Sequence, residues 1–368
     1  MIDLKKKFSK RFDFVLFTTV ALLCLYGIIM VMSATASLNR PRLIKVQIIA
    51  TILGLITIII LSLVDYKILG NFYIPIYIFC NLLLLAVLIF GTGDKDWGAR
   101  SWLSIGGFAF QPAELAKIAV IISVAKMIDK NKKTINQPFV LLKVLLFAGV
   151  PIGLIAIQPD FGTAVVFVFF VFVMLFAAGL KLRYFGYAII IGIISLPILW
   201  FSFDGYQRKR ILNFLDPEHD TSDSGYQAMQ AKIAVGSGKL HGRGLFKGVQ
   251  TQFGYIPEKH TDLIFAVIGE ELGLIGGLIL FALYFLMLYR LIKIAKETKD
   301  TFGSLMVVGI AAMLGIHIWE NIGMTIGLMP ITGIPLPFIS YGGTFLLVNM
   351  ICIGIALSVG MKKEGLKF

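Results

Sequence analysis

Charge is scarce in this chain. Of its 368 residues only 15% are Asp, Glu, Lys or Arg, against about a quarter in ordinary soluble domains. Hydrophobic residues make up 58%, and the mean hydropathy is +0.87. This excludes a water-soluble globular domain and a disordered chain alike. Acids are scarcer than bases, 21 against 34, leaving a net charge of +13. The excess is not a nucleic-acid footprint, because the basic residues fall in segments between apolar runs. Cysteine is nearly absent. Cys24, Cys80 and Cys352 each lie inside an apolar run, so neither a disulfide framework nor a cysteine metal site is implied. There is no low-complexity segment, tandem repeat or separate soluble domain. Gly242-Arg243-Gly244 is too short for a nucleotide-binding glycine loop. Without an inverted repeat between the halves, many transporter architectures are disfavoured.

What the chain has instead is apolar runs. They lie near 14–32, 43–64, 72–90, 111–127, 139–157, 163–180, 184–203, 263–291, 302–328 and 344–360. Each is long enough to cross a bilayer core of about 30 Å as a helix. The expected fold is therefore an all-α polytopic membrane protein of about ten spans, a single integral-membrane domain over residues 1–368. The first run exceeds the roughly 7–15 residues of a signal-peptide core, so it is read as a retained span. Basic residues cluster before span one (Lys5, Lys6, Lys7, Lys10, Arg11) and after spans four (Lys130, Lys132, Lys133), six (Lys181, Arg183) and eight (Arg290, Lys293, Lys296, Lys299). Lys362, Lys363 and Lys367 end the chain. With ten spans all of these share one side, which places both termini in the cytoplasm. The long polar loop at about 204–262, between spans seven and eight, is then extracytoplasmic.

Polar residues within or beside the spans are the candidates for function, since ionisable groups in lipid are costly. Gln111, Glu114 and Lys117 lie broadly along one helix face. They form either a packing ion pair or a charged cavity. Arg100 and Trp102, with Trp97, fit an aromatic belt at the boundary equally well. Asp160 can cap the following helix or serve as a second carboxylate. Arg208 and Arg210, in Y-Q-R-K-R, suit phosphate or interfacial anchoring. Tyr226, Met229 and Ile233 form an apolar stripe, the sign of an interfacial amphipathic helix that packs on the bundle or lies on the membrane. Lys239 and Arg243 sit in a glycine-rich stretch able to hold pyrophosphate. Glu270 and Glu271, and His317, Glu320 and Asn321 on one helix face, read as structural hydrogen-bonding groups. The uncharged proline-rich segment 329–343 is expected to shape a groove.

These residues occur in ordered motifs: G-A-R-S-W-L, Q-P-A-E-L-A-K, Q-P-D-F-G-T, S-G-Y-Q with A-K-I-A-V-G-S-G and G-R-G-L, Y-I-P-E-K-H-T-D-L-I-F-A-V-I-G-E-E-L-G, and P-L-P-F-I-S-Y-G-G. The set resembles the SEDS family (shape, elongation, division and sporulation) over essentially the whole chain. Short termini, Gln158 and the L-D-P-E continuation of the loop resemble its elongation-type members. Three positions depart from the pattern: Ser101 stands where the family commonly has Arg, with Arg100 one place earlier, Ala113 replaces a frequent Ser, and H-T-D-F is H-T-D-L.

The resemblance implies a peptidoglycan glycosyltransferase that polymerises lipid II during cell elongation and shape maintenance, in the bacterial cytoplasmic membrane. Asp262 would be the catalytic base. Arg100, Trp102, Gln111, Glu114, Lys117, Asp160, Arg208, Arg210, Lys239, His260 and Ser340 are the substrate-binding candidates. A divalent cation, Mg2+ or Mn2+, is a candidate cofactor, with Asp262 and Asp160 as candidate ligands. The implied partners are a class B penicillin-binding protein and other membrane proteins of an elongation complex. Two other readings use the same features, a lipid II flippase and a non-catalytic scaffold for the penicillin-binding protein.

Overall fold

The computed structural model describes residues 11–38, 40–93, 101–105, 108–202, 205–216 and 224–362. Each of the ten apolar runs forms one long helix: α1 (Phe14–Thr35), α2 (Pro41–Leu63), then, after a short α3 (Tyr66–Asn71), α4 (Tyr73–Phe90), α5 (Pro112–Lys130), α6 (Pro138–Ile157), α7 (Phe161–Ala177) and α8 (Leu182–Ser202). Three shorter helices, α9 (Gly205–Leu215), α10 (Ser224–Ser237) and α11 (Val249–Gln252), occupy the long loop before α12 (Ile264–Glu297), α13 (Thr301–Thr325) and α14 (Gly343–Met361). Seven of the ten are long and apolar enough to span a membrane by themselves, and α7 and part of α8 are shorter apolar helices. The remaining one, α5, carries Glu114, Lys117, Lys126, Asp129 and Lys130. The chain is a multi-pass α-helical membrane protein.

Small residues set the closest helix contacts. Gly54 on α2 lies against Met350 of α14, while Gly354 on α14 lies against Ile58 and Leu61 of α2. Gly309 of α13 meets Ile121 of α5 and Met174 of α7. A contiguous buried core runs from Leu16 through Phe167, Met306 and Leu357. By contrast α8 is peripheral, with Leu182, Ile189, Ile190, Ile191, Ile193 and Ile194 all exposed as lipid-facing residues would be.

The all-α expectation misses one hairpin. β1 (Leu103–Ile105) pairs antiparallel with β2 (Phe108–Phe110), and Thr92 bridges Trp102. Its strands are rich in apolar residues, Leu103 and Ile105 on one and Phe108 and Phe110 on the other, alternating with Ser104 and Ala109, the pattern of a strand.

The eighth span is also corrected. Helix α12 breaks at Gly273, whose φ of +65° and ψ of −159° are essentially accessible only to glycine. Residues 264–271 before the break are buried throughout by protein. The outward-facing apolar strip starts only after it, at Leu274, Ile275, Leu278 and Ile279. The break exists because the chain at 238–244 docks there. Gly242 N donates to Gly238 O, Arg243 N to Glu270 O and Gly244 N to Glu271 O, and Leu274 N and Ile275 N donate to the oxygens of Lys239 and Leu240. A Cβ on Gly238, Gly242 or Gly273 would collide with backbone across this junction. The glycine-rich stretch is therefore a rigid joint.

Helix α10 packs on the bundle, but not through its apolar stripe. Ala231 and Ala234 pack against Leu263, Ala266 and Ile256, and Gly225 is buried as well. Met229 and Ile233 of the apolar stripe are exposed. Alanines permit close approach to α12, which longer side chains would prevent.

Candidate active site

Two groups of polar residues come together. The first lies among α5, α7, α13 and α14. Lys117 Nζ is 2.9 and 2.8 Å from the two carboxylate oxygens of Glu114, and 3.1 Å from His317 Nε2. The His317 ring stacks on Phe345 with an interplanar angle of 2°. One turn above, Gln111 Nε2 donates to Asp160 Oδ2 at 2.9 Å, while Asp160 Oδ1 accepts from Thr163 N at 3.1 Å. Asp160 thus caps α7. Glu320 is buried nearby, with one oxygen lacking any partner among the described residues.

The second group surrounds Asp262, in the loop that enters α12. Three consecutive main-chain oxygens are held, two by the facing proline-rich segment and the third by α13. His260 O accepts from Tyr341 N at 2.8 Å, Thr261 O from Ser340 Oγ at 2.6 Å, and Asp262 O from Asn321 Nδ2 at 2.7 Å. Ser340 Oγ also accepts from Leu336 N, and Gln47 binds the main chain of Ser340 and Gly342. Behind the loop, buried Lys259 donates to Ser37 Oγ and to Thr251 O. Thr251 and Gln250 in turn donate to Glu270, while Glu271 accepts from Ser33, Phe246 N and Gln252. Glu258 sits at a φ of +47°, left-handed backbone that a non-glycine residue adopts only where surrounding structure enforces it.

Within this frame the Asp262 carboxylate is half-buried and makes no hydrogen bond among the described residues. Leu263, not Asp262, occupies the N-cap of α12, so the carboxylate has no capping role. Burial, with help from the charge of Glu258, raises its pKa to about 7, and Arg210 opposes the rise. His260 is held below its ordinary value, mainly by burial.

The other candidates divide. Glu114, Lys117, Gln111 and Asp160 form the intramembrane group. Arg210 acts on Asp262, whereas Arg208 caps α8 by donating to Trp200 O and Phe201 O. Ser340 and His260 hold the loop. Trp102 is tied through its main chain to Thr92. Lys239 is not brought to Asp262. It lies at the α12 break, roughly 18 Å farther along at 1.5 Å per residue. Arg100 falls outside the described residues, as do Trp97, most of the basic N-terminus and L-D-P-E beyond Asp216. Among the described residues no three His, Cys, Asp or Glu gather to hold a metal, and both Asp160 oxygens accept a hydrogen bond. Asn321 and the Glu270–Glu271 pair, read from the sequence as structural hydrogen-bonding groups, support the Asp262 loop together with Lys259. Their partners lie up to hundreds of residues away, and no local pattern names them.

A bundle of membrane helices that presents a half-buried carboxylate with no hydrogen-bond partner among the described residues, on a rigid loop beside a buried ionic cluster, defines a polytopic membrane enzyme. Residues 13–365 match the FtsW/RodA/SpoVE cell cycle protein family, and the chain belongs to that family. It is 41% identical over 310 residues to the peptidoglycan glycosyltransferase MrdB of Escherichia coli K12, covering 83% of this chain and 82% of that protein. The probable peptidoglycan glycosyltransferase FtsW of Geobacter metallireducens is 36% identical over 98% of both chains. Among solved structures, a chain from work described as "Structural coordination of polymerization and crosslinking by a peptidoglycan synthase complex" superposes with a TM-score of 0.83 at 31% identity, covering 96% of this chain and 98% of that one. The rod shape determining protein RodA of Thermus thermophilus gives 0.72 at 30% identity, with the same coverage.

Proposed function

We propose that this protein is a peptidoglycan glycosyltransferase that polymerises lipid II, with Asp262 as its general base. The observation that carries this reading is the Asp262 carboxylate itself, engaged by no described protein donor and fixed by main-chain hydrogen bonds on both sides. A sugar hydroxyl of the acceptor attacks the anomeric carbon of the donor. The new C–O bond forms as the bond to pyrophosphate breaks, and the hydroxyl proton passes to Asp262. A base is most effective with a pKa near the working pH, and about 7 meets that condition. Glycosidases use a second carboxyl group to protonate a poor leaving group. Pyrophosphate leaves as a stabilised anion and needs cations instead. Arg210, whose charge already acts on Asp262, would serve, and Lys117 is the cation of the buried cluster below. Mg2+ or Mn2+, if used, would accompany the pyrophosphate.

In this reading the face bearing the long loop is extracytoplasmic, both termini are cytoplasmic, and a class B penicillin-binding protein supplies crosslinking. The reaction is tested by reconstituting the protein in vesicles with labelled lipid II and resolving glycan chains on a gel. No polymer from folded protein, alone and with its penicillin-binding partner, overturns it. Impermeant thiol labelling of whole cells tests the orientation. Asp220→Cys should label and Asn131→Cys should not, and the reverse pattern inverts the topology.

A further inference from the structure

The stretch between α10 and α11 is composed unlike the rest of the loop. No Asp or Glu occurs from Ser224 to Pro257, while Lys239, His241, Arg243 and Lys247 alternate with Leu240, Leu245 and Phe246. In a soluble loop such apolar residues would fold inward. Here they do not. Leu240 is 59% exposed, Phe246 47% and Phe253, just beyond α11, 74%. The four basic residues are exposed as well, and their side chains make no hydrogen bond or ion pair among the described residues.

The exposure is not looseness. Phe246 sits at a φ of +62° and Lys239 at +50°, backbone that costs bulky residues energy and persists only when the surroundings enforce it. Those surroundings are the α12 joint and the Glu271 carboxylate, which accepts from Phe246 N at 3.1 Å. The segment is a rigid spur with apolar and cationic side chains pointing away from the protein.

Its depth follows from α12. The apolar strip after the break runs from Leu274 to Tyr289, beyond which come Arg290, Lys293 and Lys296. Sixteen residues at 1.5 Å each span about 24 Å, most of the roughly 30 Å hydrocarbon core. Gly273 therefore marks the core boundary on the loop side. The spur is bonded there, its Leu240 O joined to Ile275 N, so that it continues the lipid-facing strip into the headgroup layer.

We infer that residues 239–247 are an interfacial anchor. Leu240, Leu245 and Phe246 enter the leaflet on the loop side, and Lys239, His241, Arg243 and Lys247 lie at the level of its phospholipid phosphates. An apolar face of this kind buries about 5–10 Å into the headgroup and acyl boundary, with cations drawn to anionic lipid. Through the joint to Glu270 and Glu271, the anchor sets the height of the Asp262 loop above the membrane.

The test uses the full chain, alone, in vesicles of phosphatidylcholine and phosphatidylglycerol. With Cys24, Cys80 and Cys352 replaced and polymerase activity retained, Phe246→Cys and, separately, Leu240→Cys are labelled with an environment-sensitive fluorophore. Lys133→Cys, exposed on the opposite side, is the aqueous control. Lipid-borne nitroxides should quench both spur positions at least about twofold more than the control, as insertion into the leaflet requires. Quenching by aqueous iodide but not by lipid nitroxides overturns the inference. So does protection that appears only when a penicillin-binding protein is added, which would make the spur a protein-docking surface.

Discussion

The side-chain amide of Asn321 donates to the main-chain oxygens of Asp262 and Ile334, at 2.7 Å each. One buried residue of α13 thus joins the loop that carries the proposed base to the proline-rich segment facing it. Gly333 lies on that segment, its missing Cβ leaving room beside the Asp262 carboxylate. Asn321→Ala should leave two carbonyls unsatisfied and lower stability by about 1–3 kcal/mol. It should also lower the polymerisation rate, because Asp262 loses its register. Thermal unfolding and glycan gels on one preparation would separate the effects. Parental activity in the variant would remove Asn321 from the positioning role.

Asp262→Asn keeps size and shape but removes basicity. Since Asp262 caps no helix, folding should be unaffected, while polymerisation should fall by about 10²–10⁴, the usual contribution of a general base. Near-parental synthesis by the purified variant would require another base.

The pH dependence has a defined sign. The carboxylate must be ionised to accept a proton, so activity should rise with pH through a limb near 7, where burial has moved the group. Glu258→Gln removes a like charge that helps raise the value and should shift the limb to lower pH. Arg210→Gln removes the opposing cation and should shift it upward. A limb that ignores both substitutions would assign the titration to another group.

In the intramembrane cluster, Glu114→Ala leaves Lys117, which is 1% exposed, without its carboxylate. Breaking a buried pair from one side costs about 3–5 kcal/mol, so yield and thermal stability should drop with activity. Glu114→Gln with Lys117→Met should recover stability but not activity if the pair also serves substrate. Recovery of both would make the pair purely structural.

Gly273→Ala tests the joint. The backbone strain alone is worth about 1–3 kcal/mol, and the new methyl group would strike Gly242 N and Leu240 O. The variant should lose stability and polymerisation together, unlike Asp262→Asn, which should lose only the latter.

The ten helices were legible in the sequence because lipid imposes a local rule. Every backbone group in the bilayer must be satisfied within its own segment, so a long apolar run can only be a helix. The ordered motifs likewise singled out Asp262 and the Glu114–Lys117 pair, residues whose chemistry is carried by their own side chains. What no local pattern held was which groups the supporting residues join. Gly273 looks like any glycine of a membrane helix until the 238–244 segment is seen docked in its break. Met229 and Ile233 read as the stripe of a helix packed on the bundle or lying on the membrane, yet the bundle takes the alanine face of α10, because only small side chains let it approach α12. Asn321, Lys259 and Glu271 act on partners 59, 222 and 238 positions away. Only the folded chain brings them together, since their hydrogen bonds depend on where the helices pack and not on sequence spacing.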